Sequence, residues 1–172
     1  MSDLVGKGFT FGLRQIVLQS ADELTVIELD AGRTLTFSEE FINDELLGND
    51  RVVAVATFPK KLTWELEGGG LQLEALALMF GETITTSGVT PNRIEEMVRS
   101  AGTVSPYFTI MGRSVTAGSD AVHVIIPMAK VTGYERNAEQ EAFGLMVISG
   151  EAIDDGSGLY VIRKLETDAS LI

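Results

Sequence analysis

The sequence predicts a mainly β fold, a β-sandwich or barrel with one helix packed on it, and three observations support this. Most segments between turn signals alternate apolar and polar residues or are rich in β-branched and aromatic ones, which is typical of strands. A single segment has good helix formers at helical spacing. The chain has 172 residues, 45% of them hydrophobic, which is enough to bury a core without disulfides. We therefore expect one domain over residues 1–172.

The expected strands follow the chain from one end to the other. Leu62, Trp64 and Leu66 lie at alternate positions, so they share one face of their strand. Pro127 predicts a bulge or an edge strand, because proline cannot donate to a β-ladder. The glycine-rich segment 155–158 predicts a hairpin between the last two strands. The strands are expected at residues 8–18, 24–29, 34–37, 52–58, 62–67, 107–111, 121–128, 143–153 and 159–166.

The helix is expected over about residues 69–80, after a run of three glycines. Leu71, Ala75, Leu78 and Met79 fall on one helical stripe, and Gly81 suits the position that ends a helix. Residues 90–100 are ambiguous from local signals. Thr90 as a cap and Pro91 in the first turn favour a helix, whereas the apolar spacing fits neither a helix nor a strand.

Charge and composition exclude several classes of function. The chain has 13 Lys and Arg against 25 Asp and Glu, a net charge of −12, which does not suit a protein that wraps nucleic acid. It has no cysteine and one histidine, so thiolate chemistry and clustered imidazole ligands are impossible. No apolar run reaches membrane-spanning length, and the N-terminus lacks the apolar core of a signal peptide. We expect a soluble protein made in the cytoplasm.

No residue pattern indicates catalysis. His123 lies in a predicted strand without an adjacent carboxylate or nucleophile, so we interpret it as a structural residue. The segment 154–158 lacks the alternating ligands of a calcium loop, and the glycines at 68–70 lack the lysine of a phosphate-binding loop. We therefore expect no enzymatic activity, no cofactor and no metal site.

The acidic segment 38–51 contains three apolar residues, Phe41, Leu46 and Leu47, for which two interpretations are open. In the first, Ser38 caps a short surface helix that packs these residues on its own core. In the second, the segment protrudes and offers them to another subunit. Glutamates also recur on the polar faces of expected strands, where they serve solubility or line a conduit for a polyanion. They are Glu65, Glu67, Glu95 and Glu151.

From about residue 50 onward, the order of segments resembles the major tail tube protein of long-tailed, siphovirus-like bacteriophages. Residues 64–70 end a strand with WELEGGG, and the helix LQLEALALMFG follows. Next come GETITTSGVTPNRIEEM, the aromatic strand SPYFTIMGRSV and the strand AVHVIIPMAKVTG. The last matching segment is FGLMVISGEAIDDGSGLYVIRKLET.

The resemblance implies a β-sandwich with one flanking helix, assembled as stacked hexameric rings around a hollow lumen. It implies that 31–51 is an inter-ring loop, with Phe41, Leu46 and Leu47 at the interface, and that 167–172 is a C-terminal tail. It also favours a strand over 93–99 and an acidic lumen, for which Glu65, Glu67 and Glu95 are the candidates.

The implied partners are copies of the chain itself, a tape-measure protein in the lumen, and the tail terminator and distal tail proteins. Genomic DNA would pass through without specific binding, no membrane is involved, and the protein would be located in the virion tail. Two alternatives remain from the sequence. One is another virion component of related fold, such as a tail terminator, head–tail joining or decoration protein. The other is a small ligand-binding β-barrel or enzyme.

Overall fold

A computed structural model describes residues 10–48, 51–70, 72–116, 120–137, 144–166 and 169–171. These residues form ten strands and one helix, and every strand pairing is antiparallel, which confirms the mainly β prediction. The elements are β1 Thr10–Ser20, β2 Val26–Glu28, β3 Gly32–Gly48, β4 Arg51–Gly69, α1 Leu73–Phe80, β5 Ile84–Ser87, β6 Ile94–Met97, β7 Phe108–Thr116, β8 Ala121–Asn137, β9 Leu145–Ala152 and β10 Val161–Leu165.

The main sheet has two layers that share the long strand β8. The first half of β8 lies between β7 and β10, and β7 continues to β1 and β2. The second half pairs with β9, which continues to β4 and β3. The change of partners follows Pro127, where the register against β7 shifts and the Thr109 hydroxyl donates to the Pro127 carbonyl at 3.1 Å. The bulge that Pro127 predicts is therefore confirmed.

The hydrophobic core lies between the two layers and beneath α1. Leu62, Trp64 and Leu66 are buried along β4, which confirms their predicted shared face. The first layer contributes Ile16 and Ile110 to the same cluster. The other buried members from the strands and helix are Leu18, Phe108, Ile126, Ala129, Met146, Ile148, Ala152, Ala75, Leu76, Met79 and Phe80.

The predicted helix is present but shorter, and its buried face differs from the prediction. It begins at Leu73 and buries Ala75, Leu76, Met79 and Phe80, whereas Leu78 is only half-buried. Leu71, the first member of the predicted stripe, lies outside the described residues. Gly81 ends the helix as expected, with φ of 71° and its amide donating to the Ala77 carbonyl at 2.9 Å.

Three local predictions need correction. The segment 38–51, for which the sequence favours a surface helix or a protruding loop, instead belongs to strands: residues 38–48 continue β3 and Arg51 begins β4. Pro59 does not end a strand: β4 runs through it, with a shift of register between Glu40 and Phe41 of β3. The turn at 155–158 forms, but β9 and β10 do not pair with each other there, because β10 pairs with β8. The strand expected over 93–99 is confirmed as β6, which pairs with β5.

The end of the chain crosses the outer surface of the first layer. The His123 Nε2 atom lies 3.0 Å from the Ala169 carbonyl, and the Leu171 amide donates to the Gln15 side-chain oxygen at 3.4 Å. His123 is buried as a result, and Arg113 and Arg163 flank it on the adjacent strands. This environment agrees with a structural role for the histidine. Within the described part of the chain, the helix is too short to span a bilayer.

Candidate subunit interface

Strands β3 and β4 extend past the rest of the sheet as a two-stranded ribbon. Strand β9 pairs with β4 only from Leu62 to Gly69. Beyond Glu40 and Lys61, β3 and β4 pair only with each other among the described residues. We call residues 41–48 and 51–60 the arm. Its eight residues of β3 span about 25 Å at the rise of an antiparallel strand.

The arm exposes large apolar side chains on both of its faces. Residues paired across an antiparallel ribbon point to the same side, so Ile42 and Phe58 share one face, and Glu45 and Val55 share the other. Phe58 is 60% exposed and Val55 57%. Leu46, on the face of Phe58, is 64% exposed. An isolated two-stranded ribbon is at best marginally stable in water, and exposed apolar patches mark contact surfaces. The arm is therefore an exposed apolar surface of the kind that contacts other molecules.

One of these faces is almost entirely apolar, and we call it the apolar face. Its only charged residue is Asp44, which pairs with Ala56. The face consists of Ile42, Asp44, Leu46, Ala54, Ala56 and Phe58. On the opposite face, the Thr57 hydroxyl donates to the Asn43 side-chain oxygen at 3.0 Å, which makes that face more polar.

The predicted interface residues all belong to the arm. Phe41 is half exposed, and Leu46 lies on the apolar face. Leu47 pairs with Val52 through the backbone, but its side chain lies outside the described part of the structure. Sequence reasoning missed Ile42, Val55 and Phe58, because an apolar run such as 52–58 is more often a buried strand than an exposed one.

Ion pairs hold the base of the arm to the sheet. Lys60 and Lys61 each lie 3.4 Å from the Glu40 carboxylate, and Lys61 also contacts Glu151 of β9 at 2.5 Å. The hydrogen bond to Glu151 is the largest cause of a raised pKa of Lys61. Partial desolvation of Glu40 opposes ionisation, but the two lysines prevail and lower its pKa. The arm is therefore anchored where it leaves the body.

The second layer has two open edges. Strands β7 and β9 lie on opposite sides of β8, because Ala129 pairs with both Phe108 and Ala152. Strand β7 begins there, at Phe108, so from Lys130 to Asn137 β8 has a partner on one side only among the described residues. At the other margin, β3 pairs only with β4 within the part of the chain that the structure describes. Unpaired edges are templates for pairing with another chain.

The structure brings together two of the three predicted lumen glutamates. Glu65 and Glu67 lie on the outer face of the second layer, where Glu67 is 3.4 Å from Arg33. Glu95 lies on β6 in the separate two-stranded sheet and is paired with Arg93 at 2.7 Å. The outer face of the second layer also carries Thr34, Thr36, Ser38, Thr63, Glu135, Ser149 and Glu151.

Comparison with known proteins places the chain in no family: no family model matches it, and no curated sequence is similar to it. The candidate site is therefore defined by its geometry. Among the described residues, no three His, Asp or Glu side chains are grouped to hold a metal ion. Among the described residues, the arm is exposed, the two margins of the second layer are unpaired and the outer face of that layer is polar.

Proposed function

We propose that the protein is the structural subunit of a bacteriophage tail tube, in which hexameric rings stack into a hollow conduit for genome delivery. The single observation that carries this proposal is the arm. It leaves the body as a bare ribbon with exposed phenylalanine and aliphatic side chains on both faces. Such an element is stable only when another molecule covers it. Stacked copies supply that cover repeatedly.

Ring closure follows from the two open edges of the second layer. Its strands alternate in direction in the order β8, β9, β4 and β3, so its marginal strands run in opposite directions. Strand β3 of one copy can therefore pair antiparallel with β8 of the next. A closed ring of copies removes both exposed edges. The number of six subunits per ring comes from the family resemblance.

In such a ring, the outer face of the second layer lines the lumen. Glu65 and Glu67 are then lumen residues, whereas Glu95 lies on the separate two-stranded sheet. This face carries Glu65, Glu67, Glu135 and Glu151, whose carboxylates repel phosphates, so DNA slides past without specific binding. The remaining partners are a tape-measure protein inside, and terminator and distal tail proteins at the ends. The location is the virion tail.

Electron microscopy of the purified protein tests the proposal. We expect rings or tubes from the full chain, and none from a variant in which an Asn-Gly turn replaces residues 41–59. No core residue lies in the replaced segment, so the shortened variant should keep the circular dichroism spectrum and melting temperature of the body. Single rings that never stack would favour a terminator or joining protein. A full chain that stays monomeric in sedimentation and micrographs would contradict the proposal.

A further inference from the structure

We propose that the apolar face of the arm docks, in a second copy of this chain, into a glycine-lined hollow at the opposite end of the same sheet. This inference rests on the proposed function and adds the receiving site to it. The hollow has a volume of about 510 Å³. Its lining residues are Ala31, Gly32, Arg33, Gly69, Gly70 and Leu145.

The positions of the arm and the hollow make the contact head-to-tail. The hollow lies where β3 and β9 begin and β4 ends. The arm leaves from the other end of the same strands, beyond Glu40 and Lys61. One copy placed above another along the strand direction therefore brings the arm of the first to the hollow of the second. A contact between different surfaces of identical copies repeats without limit, as a growing tube requires.

Glycine gives the hollow its shape. A β carbon at Gly70 would meet nothing within 4 Å, and one at Gly69 would meet only the Ala31 β carbon at 3.8 Å. The space that side chains would occupy is therefore open, and a neighbouring backbone can approach closely. Leu145 and Ala31 supply an apolar surface beside it. Aliphatic groups such as those of Leu46 and Ala54 fit such a site.

The charges of the two surfaces are complementary. The apolar face carries one acidic residue, Asp44, which makes no ion pair among the described residues. The hollow has one basic residue, Arg33, whose side chain is 60% exposed. Its contact with Glu67 is long, at 3.4 Å, and open to solvent, so Arg33 can turn to a new carboxylate. Asp44 of the apolar face can therefore pair with Arg33 of the hollow.

Two other apolar grooves among the described residues suit the arm less well. The groove between β2 and α1 is lined by Glu74 and Glu82, which would repel Asp44. The groove beside Tyr134 contains Arg99, but this guanidinium already donates to the Phe80 carbonyl and to Glu82. That groove also lies along the side of the sheet and not at the end opposite the arm.

A charge exchange tests the pairing of Arg33 with Asp44. We expect Arg33→Glu and Asp44→Lys each to raise the protein concentration needed for tube formation by about tenfold or more, and the double variant to restore it. The matched control is Arg93→Glu, which breaks an ion pair of the same kind with Glu95 and should leave assembly unchanged. A double variant that is as defective as the single variants together overturns the pairing.

Disulfide crosslinking provides a second measurement, because the natural chain has no cysteine. A variant with both Ala31→Cys and Leu46→Cys should form a ladder of covalent multimers when assembled protein is oxidised. The control variant carries Leu46→Cys together with Thr86→Cys, an exposed position on β5, and should form no ladder. If tubes form but show no covalent ladder, and the double charge variant does not restore assembly, the hollow is not the docking site, whereas the tail tube proposal still holds. A chain that never self-associates overturns both.

Discussion

At the residue scale, Gly150 lets the Trp64 side chain pack directly against the backbone of the second layer. It lies on β9 directly opposite Trp64 of β4. A β carbon at Gly150 would collide with the Lys130 carbonyl oxygen and with two atoms of the Trp64 ring. The indole ring therefore packs against bare backbone, and its other side meets the Phe108 ring edge-on, with centroids 5.8 Å apart. The core has no space for even one additional methyl group at this position.

We predict that Gly150→Ala lowers the free energy of unfolding by about 2–3 kcal/mol, because a buried atom must displace backbone or aromatic ring atoms. Urea denaturation followed by circular dichroism measures this change. Gly102→Ala is the matched control, since a β carbon there meets nothing within 4 Å. The control should change the stability by less than about 0.5 kcal/mol. Equal stability of both variants would show that the backbone of β8 and the Trp64 ring can shift to admit the methyl group.

At the scale of elements, one carboxylate ties the end of α1 to the segment after β6. The Glu82 Oε1 atom accepts hydrogen bonds from the Ser100 amide and from Arg99, both at 3.1 Å. Arg99 also donates to the Phe80 carbonyl at 3.0 Å and lies over the Phe80 ring. The Ser100 hydrogen bond is the largest cause of a lowered pKa of Glu82, and it prevails over the partial burial of the carboxylate.

We predict that the hydrogen bonds to the Glu82 carboxylate make the free energy of unfolding depend on pH. Because the pKa of Glu82 is lower in the folded than in the unfolded chain, its contribution is complete above its usual value of 4.5 and is lost as pH falls through the lowered folded pKa. Glu82→Gln should therefore be less stable than the natural protein at pH 7, and the difference should shrink below pH 4.5. Thermal melts across this range measure it.

Glu95→Gln is the control for the same change of charge on β6. Its carboxylate contacts Arg93 on the surface, without the amide hydrogen bond that Glu82 accepts. We expect its melting temperature to follow that of the natural protein at every pH. A Glu82→Gln variant with a pH-independent deficit would mean that the carboxylate matters through its shape and not through its charge.

The elements that the sequence predicts well are those whose signal is local. Leu62, Trp64 and Leu66 alternate in their strand, and Gly81 marks the end of the helix. The prediction for residues 38–48 was wrong because Ser38 and the acidic residues after it are local helix signals, whereas the strand forms by pairing with β4. The turn at 155–158 is local and forms, but the partner of β10 is the distant strand β8.

The same distinction applies to the candidate interface. Phe41 and Leu46 stand out as apolar residues in an acidic segment, and the structure does leave them exposed. Phe58 joins them only because the register of β3 against β4 places it opposite Ile42, and no local pattern contains that register. Likewise, Glu65 and Glu95 both follow strand patterns, yet they belong to different sheets.

At the scale of the whole molecule, the described residues leave the arm uncovered and the second layer with an open edge on each margin. Natural sheets usually shield such edges, since they promote uncontrolled association. Here the edges lie on opposite margins of one sheet, and the arm lies at its end. Lateral and axial contacts can therefore form independently, so a ring can close while stacking continues. In the proposed ring, the polar face between the two edges faces the enclosed space.

We predict that Glu65→Lys converts the enclosed space from one that repels DNA into one that holds it. The substitution places a cation on the outer face of the second layer in every copy, and each phosphate it contacts releases counterions. Tubes assembled around short linear duplexes should then retain nuclease-protected DNA at low salt and lose it at high salt. Glu95→Lys makes the same change in net charge on the separate sheet, so any DNA it binds should remain open to nuclease. Equal protection by both variants would mean that the second layer does not face the lumen.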